Sequence, residues 1–200
     1  MKQKIISSFL YNHKLKFNEI EKITQIRSNK LSYYLNILQK QGIIEKQNNY
    51  YKLSETAENL IPYISNQKSI LPVLLILIKN KNKVFLYKRA KRPFKDKLGL
   101  PGGRILVGED IKIATQRIMK EKFNIKVNLK KVNSISLEQV KNNKKVKYSF
   151  LLIFVTATTK DKINCIDINK NKKIIIKSDY HLLKNDNSKQ ISIKTIFSRD

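Results

Sequence analysis

Residues 98–125 read LGLPGGRILVGEDIKIATQRIMKEKFNI, and the rest of the second half of the chain arranges itself around them. The loop RAKRPFKDKLGLPGGRI, residues 89–105, is punctuated by Pro93, Gly99, Pro101, Gly102 and Gly103, so it forms turns rather than a regular element. Gly108-Glu109-Asp110 then opens an amphipathic helix over about Ile111–Phe123, with Ile111, Ala114, Ile118 and Met119 facing inward. Upstream, Ile70–Ile78 (ILPVLLILI) is a continuous apolar run that predicts a buried strand, and Val84–Tyr87 follows the turn Lys79–Lys83 to make a hairpin. Downstream the strand candidates are Val127–Lys130, Ser134–Glu138, Lys147–Ala157 and Lys173–Lys177. Strands bracketing a helix predict an α/β (α+β) sandwich with a mixed sheet. SDYHLL, residues 178–183, has a helical pattern, while QISIKTIF, residues 190–197, is a short alternating run that no element claims.

The first 65 residues have a different rhythm. Ile5, Ile6, Phe9 and Leu10 form a helical stripe within Met1–Asn12, followed by a polar turn with His13 and Lys14. Phe17, Ile20 and Ile23 predict a second helix. Ser28 is positioned to cap a third, whose buried face is Leu31, Leu35 and Leu38 and which Gly42 ends. Two β-prone runs, Ile43–Lys46 and Tyr50–Leu53, flank the polar tip Gln47-Asn48-Asn49, and a fourth helix is predicted over Glu55–Ile64. The polar stretch Ser65–Ser69 marks the boundary between the two modules.

The chain has 200 residues, long enough for two small domains or one large one, and 41% of them are hydrophobic, which supplies a packed core. A single cysteine, Cys165, excludes an internal disulfide framework and a multi-cysteine zinc site. There is no run of 18 apolar residues and no signal-peptide layout at the N-terminus, so the expectation is a cytoplasmic protein without a membrane partner. The formal net charge is +27, from 42 Lys and Arg against 15 Asp and Glu. Such an excess suits a polyanionic partner. It also suits a chain rich in Lys, Asn and Ile throughout, because 11 basic and 5 acidic residues fall within 1–68 and 31 and 10 within 69–200. The motifs therefore have to separate the two explanations.

The segment LSYYLNILQKQGIIEKQNNYYKLSETAENL, residues 31–60, resembles the winged helix-turn-helix family, and the resemblance extends over about residues 1–66. It implies a DNA-binding module, or one that binds another protein, with its third helix in the major groove and its wing on the backbone. The outward face of that helix would be Arg27, Asn29, Lys30, Tyr33, Asn36 and Lys40, with Lys46 and Lys52 on the wing. Lys30 and Lys40 would meet phosphates, and Arg27 or Asn36 would reach base edges. Tyr33 and Tyr34 fit packing or dimer contacts better than base stacking. A homodimer is expected, since two-fold symmetry matches palindromic half-sites.

FLYKRAKRPFKDKLGLPGGRILVGED, residues 85–110, resembles the Nudix hydrolase family where it leads into its signature box, and the resemblance covers about residues 70–185 within a second domain of 70–200. The box is Gly, five residues, Glu, seven residues, then Arg-Glu-apolar-any-Glu-Glu-any-Gly-apolar. Gly103, Glu109, Arg117, Met119, Glu121 and Ile125 fall in register over residues 103–125. The resemblance implies a box helix whose carboxylates hold Mg²⁺ or Mn²⁺, and metal-assisted cleavage of a nucleoside diphosphate linked to another moiety. Glu109 and Glu121 would be the metal ligands and Glu121 and Arg117 the catalytic residues, the arginine orienting the carboxylates. Carboxylates at i, i+3 and i+4 would converge on one point, and those positions are Ile118, Glu121 and Lys122. Two carboxylates are thus replaced, one with reversal of charge, and Asn124 stands for the box glycine. Hydrolysis is expected to be weak or absent, while Arg89 and Arg92, with Lys91 and the Gly102–Gly103 turn, remain suited to substrate phosphate. Glu109 and Glu121 are then equally well placed as structural partners of Arg117. Glu138, Asp161 and Asp167 lack a supporting pattern as replacement bases, and Cys165 and His181 have no assigned role.

Three functions follow. The first is a transcriptional regulator in which a winged helix binds DNA and a degenerate Nudix domain binds a nucleotide-type metabolite. Regulators of NAD metabolism combine the same two folds. The second is a metal-dependent hydrolase with an accessory module. The third is a general nucleic-acid-binding scaffold using the basic surface.

Overall fold

Buried side chains fall into clusters that share no residue, one within the first 57 residues and two between residues 73 and 183. The chain accordingly divides into Met1–Lys68 and Ser69–Asp200. The computed structural model describes residues 1–59, 63, 69–142 and 145–196.

In the first unit, α1 (Lys2–Ser7) runs into a 3-10 turn at Ser8–Leu10, followed by β1 (Leu15–Lys16), α2 (Phe17–Thr24) and α3 (Ser28–Lys40). The hairpin of β2 (Ile44–Gln47) and β3 (Tyr50–Leu53) follows, and then α4 (Glu55–Glu58). Strand β1 pairs with β3 to complete a three-stranded antiparallel sheet, which the sequence did not indicate because β1 has only two residues. Glu19 reaches back to the Lys16 amide at 2.6 Å and so fixes the start of α2. Ser28 is not the cap of α3. It is the first helical residue, Arg27 precedes it, and its hydroxyl donates to the Glu21 carboxylate, tying α3 to α2. Gly42 ends α3 with φ +67°, and the amides of Gly42 and Ile43 bond back to the carbonyls of Gln39 and Leu38, each at 2.9 Å. A left-handed residue is needed for that closure, which is why glycine serves there. Leu31, Leu35 and Leu38 are buried against Ile5, Phe9 and Ile20. The predicted continuation of α4 beyond residue 59 lies outside the described residues, apart from Tyr63.

In the second unit the strands are β4 (Leu71–Leu77), β5 (Lys79–Asn80), β6 (Lys83–Val84), β7 (Tyr87–Lys88), β8 (Leu98–Gly99), β9 (Gly102–Gly103), β10 (Asn128–Asn142), β11 (Lys145–Thr158) and β12 (Ile166–Asp167). The helices are α5 (Ile111–Phe123) and α6 (Lys177–Asn185). The main sheet has the order β10-β11-β4-β9 and is mixed, with β4 parallel to β11 and antiparallel to β9. Both faces of β4 are covered. Leu74, Ile76 and Ile78 join Ile153, Val155 and Ala157 beneath Ala114, Ile118 and Met119 of α5. Leu75 and Leu77 join Leu152 and Phe154 against Leu182 and Leu183 of α6. A strand buried on both sides has no reason to alternate, which explains the unbroken run ILPVLLILI.

Three strand expectations need correction. Val84–Tyr87 is divided between β6 and β7, which lie in different sheets, and Lys79–Asn80 of the expected turn is β5, paired with β6. Asn128–Lys130 of the first downstream candidate and all of Ser134–Glu138 belong to one long strand, β10, whose register shifts at Leu129/Lys131 and Val132/Ser134 break the alternation. Lys173–Lys177 is not a strand. Ile175 makes an isolated bridge to Leu98, and α6 begins at Lys177. Ile191 bridges to Val132, and Lys131 and Asn133 of β10 donate to the carbonyls of Ser188 and Asn187, so the stretch after α6 is held along β10. Among the described residues no helix is long and apolar enough to cross a membrane.

Candidate ligand-binding site

Strand β9 and the first half of the chemistry meet at two glycines. A side chain on Gly102 would place its Cβ 2.6 Å from the Leu74 carbonyl oxygen, so only glycine allows β9 to pair there. A Cβ on Gly103 would come within 3.0 Å of Ile118 Cγ1. The turn is therefore packed directly on the box helix, and Ile118 lies wholly buried beneath it.

Asp110 caps α5, its Oδ1 accepting the Ile113 amide at 2.7 Å. Asn124 closes the helix in the left-handed conformation at φ 55°. Between these ends Arg117 is enclosed by acceptors. Its guanidinium donates to both oxygens of Glu109, one at 2.9 Å, to Glu121 Oε2 at 3.1 Å and to the Arg104 carbonyl at 2.9 Å. Glu109 also accepts the Leu106 amide at 2.8 Å. The hydrogen bond from Arg117 holds the Glu109 carboxyl below its usual range, and Glu109 in turn raises the pKa of Arg117. Both remaining box carboxylates are thus engaged by one cation.

The three positions that the spacing places on one face do not converge. Ile118 is in the core under Gly103, Glu121 turns to Arg117, and Lys122 donates its ammonium to the Gly102 carbonyl. Lys122 is exposed as a residue, but desolvation of its head, with Arg89 and Arg117 nearby, lowers its pKa. Among the described residues no group of three His, Cys, Asp or Glu side chains is placed to hold a metal ion. The donor set does not fit Mg²⁺ or Mn²⁺. Both hard cations need several oxygens around one point, and this point has an ammonium and an isoleucine.

A cavity of about 680 Å³ opens beside this turn. Arg89, Lys91, Arg92, Gly102, Gly103 and Lys122 all line it, so the structure brings the basic loop and the glycine turn together. Arg89 is braced by donating Nε to the Pro93 carbonyl at 3.1 Å. The floor is one face of the β11–β4 pair. Phe150 and Leu152 of β11 lie opposite Leu71 and Val73 of β4, and all four line the cavity. Tyr148 lines it too, its ring stacked on Phe150 with centroids 6.3 Å apart. The i, i+2 spacing of Tyr148, Phe150 and Leu152 was the available signal for this wall, but the strand assignment alone does not say which face is open.

Two acids complete the lining. Glu138 is within β10. Asp179, in the first turn of α6, is buried, and its Oδ2 accepts the Leu100 amide at 2.7 Å. Burial pushes its pKa up to about 7, with the charge of Glu138 adding to the rise and the Leu100 amide and Arg89 opposing it. In sequence it looks like an ordinary first-turn acid, and nothing signals its burial. Asp161 and Asp167 are outside this cavity and accept the amides of Lys126 and Asn169 at 2.8 and 2.7 Å. His181 is exposed on α6, and Cys165 is partly buried with burial raising its pKa.

In the first unit Arg27, Asn29, Lys30, Tyr33, Asn36, Lys40 and Lys46 are exposed. Tyr33 meets Tyr34 edge-on at 5.3 Å, and Lys52 pairs with Glu45 at 3.4 Å.

The family model described as NUDIX domain matches residues 69–172. No curated protein is significantly similar to the chain. Among solved structures, similarity extends to a NUDIX hydrolase from Nitrosomonas europaea, 19% identical, covering 60% of this chain and 70% of that one with a TM-score of 0.48. A MutT protein from Bacillus halodurans is 16% identical over 58% of this chain and 81% of its own, with a TM-score of 0.45. A bifunctional NMN adenylyltransferase/ADP ribose pyrophosphatase from Francisella tularensis is 14% identical over 83% of this chain and 50% of its own, with a TM-score of 0.46.

Proposed function

This chain belongs to the Nudix domain family, and we propose that its second unit binds a nucleoside-diphosphate-type metabolite without hydrolysing it, while its first unit is a winged helix-turn-helix that binds DNA. The observation that carries the first half is the placement of Lys122. Its ammonium rests on the Gly102 carbonyl, Ile118 fills the core beside it, and Arg117 engages both Glu109 and Glu121. A site so furnished attracts anions and repels the divalent cation that hydrolysis would need. The cavity is large enough for a nucleotide and offers it aromatic surface at Tyr148 and Phe150.

For the first unit, support comes from the order of helices before a two-stranded hairpin and from the outer face of α3. In this reading Lys30 and Lys40 would contact phosphates, Arg27 and Asn36 would reach base edges, and Lys46 and Lys52 would touch the backbone from the wing. A homodimer would present two such helices to a two-fold symmetric site. Together the units make a regulator whose affinity for DNA depends on a bound metabolite, which requires the ligand to favour one arrangement of the DNA-binding units.

The test is to offer ADP-ribose, NAD, nucleoside triphosphates and nucleotide sugars to the purified chain with Mg²⁺ or Mn²⁺. The expected result is no turnover, with at least one compound raising the melting temperature. That compound is then added to a DNA-binding selection. Metal-dependent turnover abolished by Glu121→Gln would overturn the proposal and make the chain a hydrolase.

A further inference from the structure

We infer that Lys122 is a built-in cation that replaces the divalent metal, so that the cavity binds an organic diphosphate with no metal ion present. The inference rests on the proposed reading of this cavity as a diphosphate site and specifies how that site is neutralised.

Three observations support it. Lys122 reaches the cavity from the box helix, at a position where the box calls for an acidic residue, and its ammonium is held by the carbonyl of Gly102 on β9. An ammonium has three N–H donors, and that carbonyl uses one. Among the described residues Lys122 forms no ion pair with a carboxylate. Glu121, its neighbour in sequence, belongs to Arg117, and among the described residues no carboxylate forms an ion pair with Arg89, Lys91 or Arg92. These four cations line one cavity, whose acids are Glu138 and the buried Asp179. Crowded positive charge with so little compensation is what a polyanion would relieve. Finally, the cavity is mixed in character. The aromatic pair Tyr148 and Phe150 shares it with the cations, so it suits a diphosphate carrying a planar apolar group better than inorganic phosphate.

The consequence is an inversion of the usual metal effect. Mg²⁺ in solution binds the diphosphate and competes with the lysine, so it weakens binding instead of enabling it.

The experiment is calorimetric titration of the intact chain with ADP in EDTA and again in excess Mg²⁺, for the parent, Lys122→Met and Lys122→Glu. The expected result is binding in EDTA that is equal or tighter than in Mg²⁺. Lys122→Met should weaken it at least tenfold in EDTA. Lys122→Glu should abolish it in EDTA and regain part of it when Mg²⁺ is added. Thermal melts of the three proteins without ligand check that each is folded, and Lys122→Arg supplies a conservative variant expected to restore binding in EDTA. Binding of ADP by the parent only in Mg²⁺ would overturn the inference and leave the cavity a diphosphate site. So would binding in EDTA that Lys122→Met leaves unchanged. Failure of ADP to bind in either condition, with the parent folded, would overturn the diphosphate reading and this inference with it.

Discussion

Helices α3 and α5 are both 13 residues long, yet they use their surfaces in opposite ways. Helix α3 buries one stripe, Leu31, Leu35 and Leu38, and leaves its other side exposed with Asn29, Lys30, Tyr33, Asn36 and Lys40. Helix α5 buries Ala114, Thr115, Ile118 and Met119, and its polar side is bound up in contacts of its own unit through Arg117, Glu121 and Lys122. The difference separates two kinds of polar residue. On α3, Ser28 ties the helix to α2, while Asn29, Lys30, Asn36 and Lys40 are exposed. On α5, Arg117, Glu121 and Lys122 each have a hydrogen-bond partner within their own unit.

That contrast can be broken most forcefully at Ile118. Ile118→Glu restores the acid the box calls for, but places a charge in a wholly buried position under Gly103. It should cost on the order of 3–5 kcal/mol, as an uncompensated buried charge does. Chemical denaturation measures this, and no recovery with Mg²⁺ is expected while Lys122 is present. On α3, Leu35→Ala should cost about 2–5 kcal/mol by opening the first unit's core. Tyr33→Ala, two residues away on the exposed side, should change stability by no more than about 0.5 kcal/mol. If the two changes were equal in denaturant midpoint, the division of α3 into a buried and a free side would fail.

Arg117→Ala tests the enclosed side of α5. It leaves the partly buried Glu109 without its guanidinium, and a loss of about 1–3 kcal/mol is expected. A neutral result would mean that the polar side of α5 is as dispensable as that of α3. A pH dependence is expected at Asp179. Its pKa is near 7 when folded, against 3.8 for an ordinary aspartate, so the folded state holds the proton more tightly than the unfolded chain. The stability contributed by this group is fully present below about pH 4 and is lost as pH rises through 7. Asp179→Asn keeps an oxygen to accept the Leu100 amide. Its melting temperature relative to the parent should therefore rise between pH 5 and 8, and a flat difference would count against a neutral buried carboxyl.

The limits of α5 were legible in sequence because both ends carry local signals, an aspartate able to cap and an asparagine able to turn left-handed. The basic loop was legible for the same reason, since Arg89, Lys91 and Arg92 lie close in sequence to the glycine turn they join. The aromatic wall was not. Phe150 reaches the cavity through the register of β11 with β4, a pairing of residues about 79 positions apart, and Tyr148 lies just before that pairing begins. The breaks in β10 were misread as an end of strand, because a bulge shifts which side each residue faces without ending the pairing. Ile174, Ile175 and Ile176 have the composition of a strand, but two backbone bonds to Leu98 hold this segment beside a two-residue strand that offers nothing to extend along. The spacing that put Ile118, Glu121 and Lys122 on one helix face was correct as geometry. The same spacing offered Glu121 to Arg117 as its i, i+4 partner, and the two pair at 3.1 Å.

The β10–β11 ribbon is longer than the sheet that supports it. Strand β11 pairs with β4 only from Phe150 to Thr156, whereas its pairing with β10 continues back to Lys145. Amides between Lys145 and Ser149 therefore depend on one neighbouring strand, and deuterium should enter the ribbon from that end first, with protection rising step by step toward Val155. Tyr148 belongs to the fast-exchanging part and Leu152 to the slow. The cavity thus has one wall anchored in the most protected part of the fold and one that can shift by local opening at little cost to the rest, so a bound ligand would be felt first as slower exchange around Tyr148.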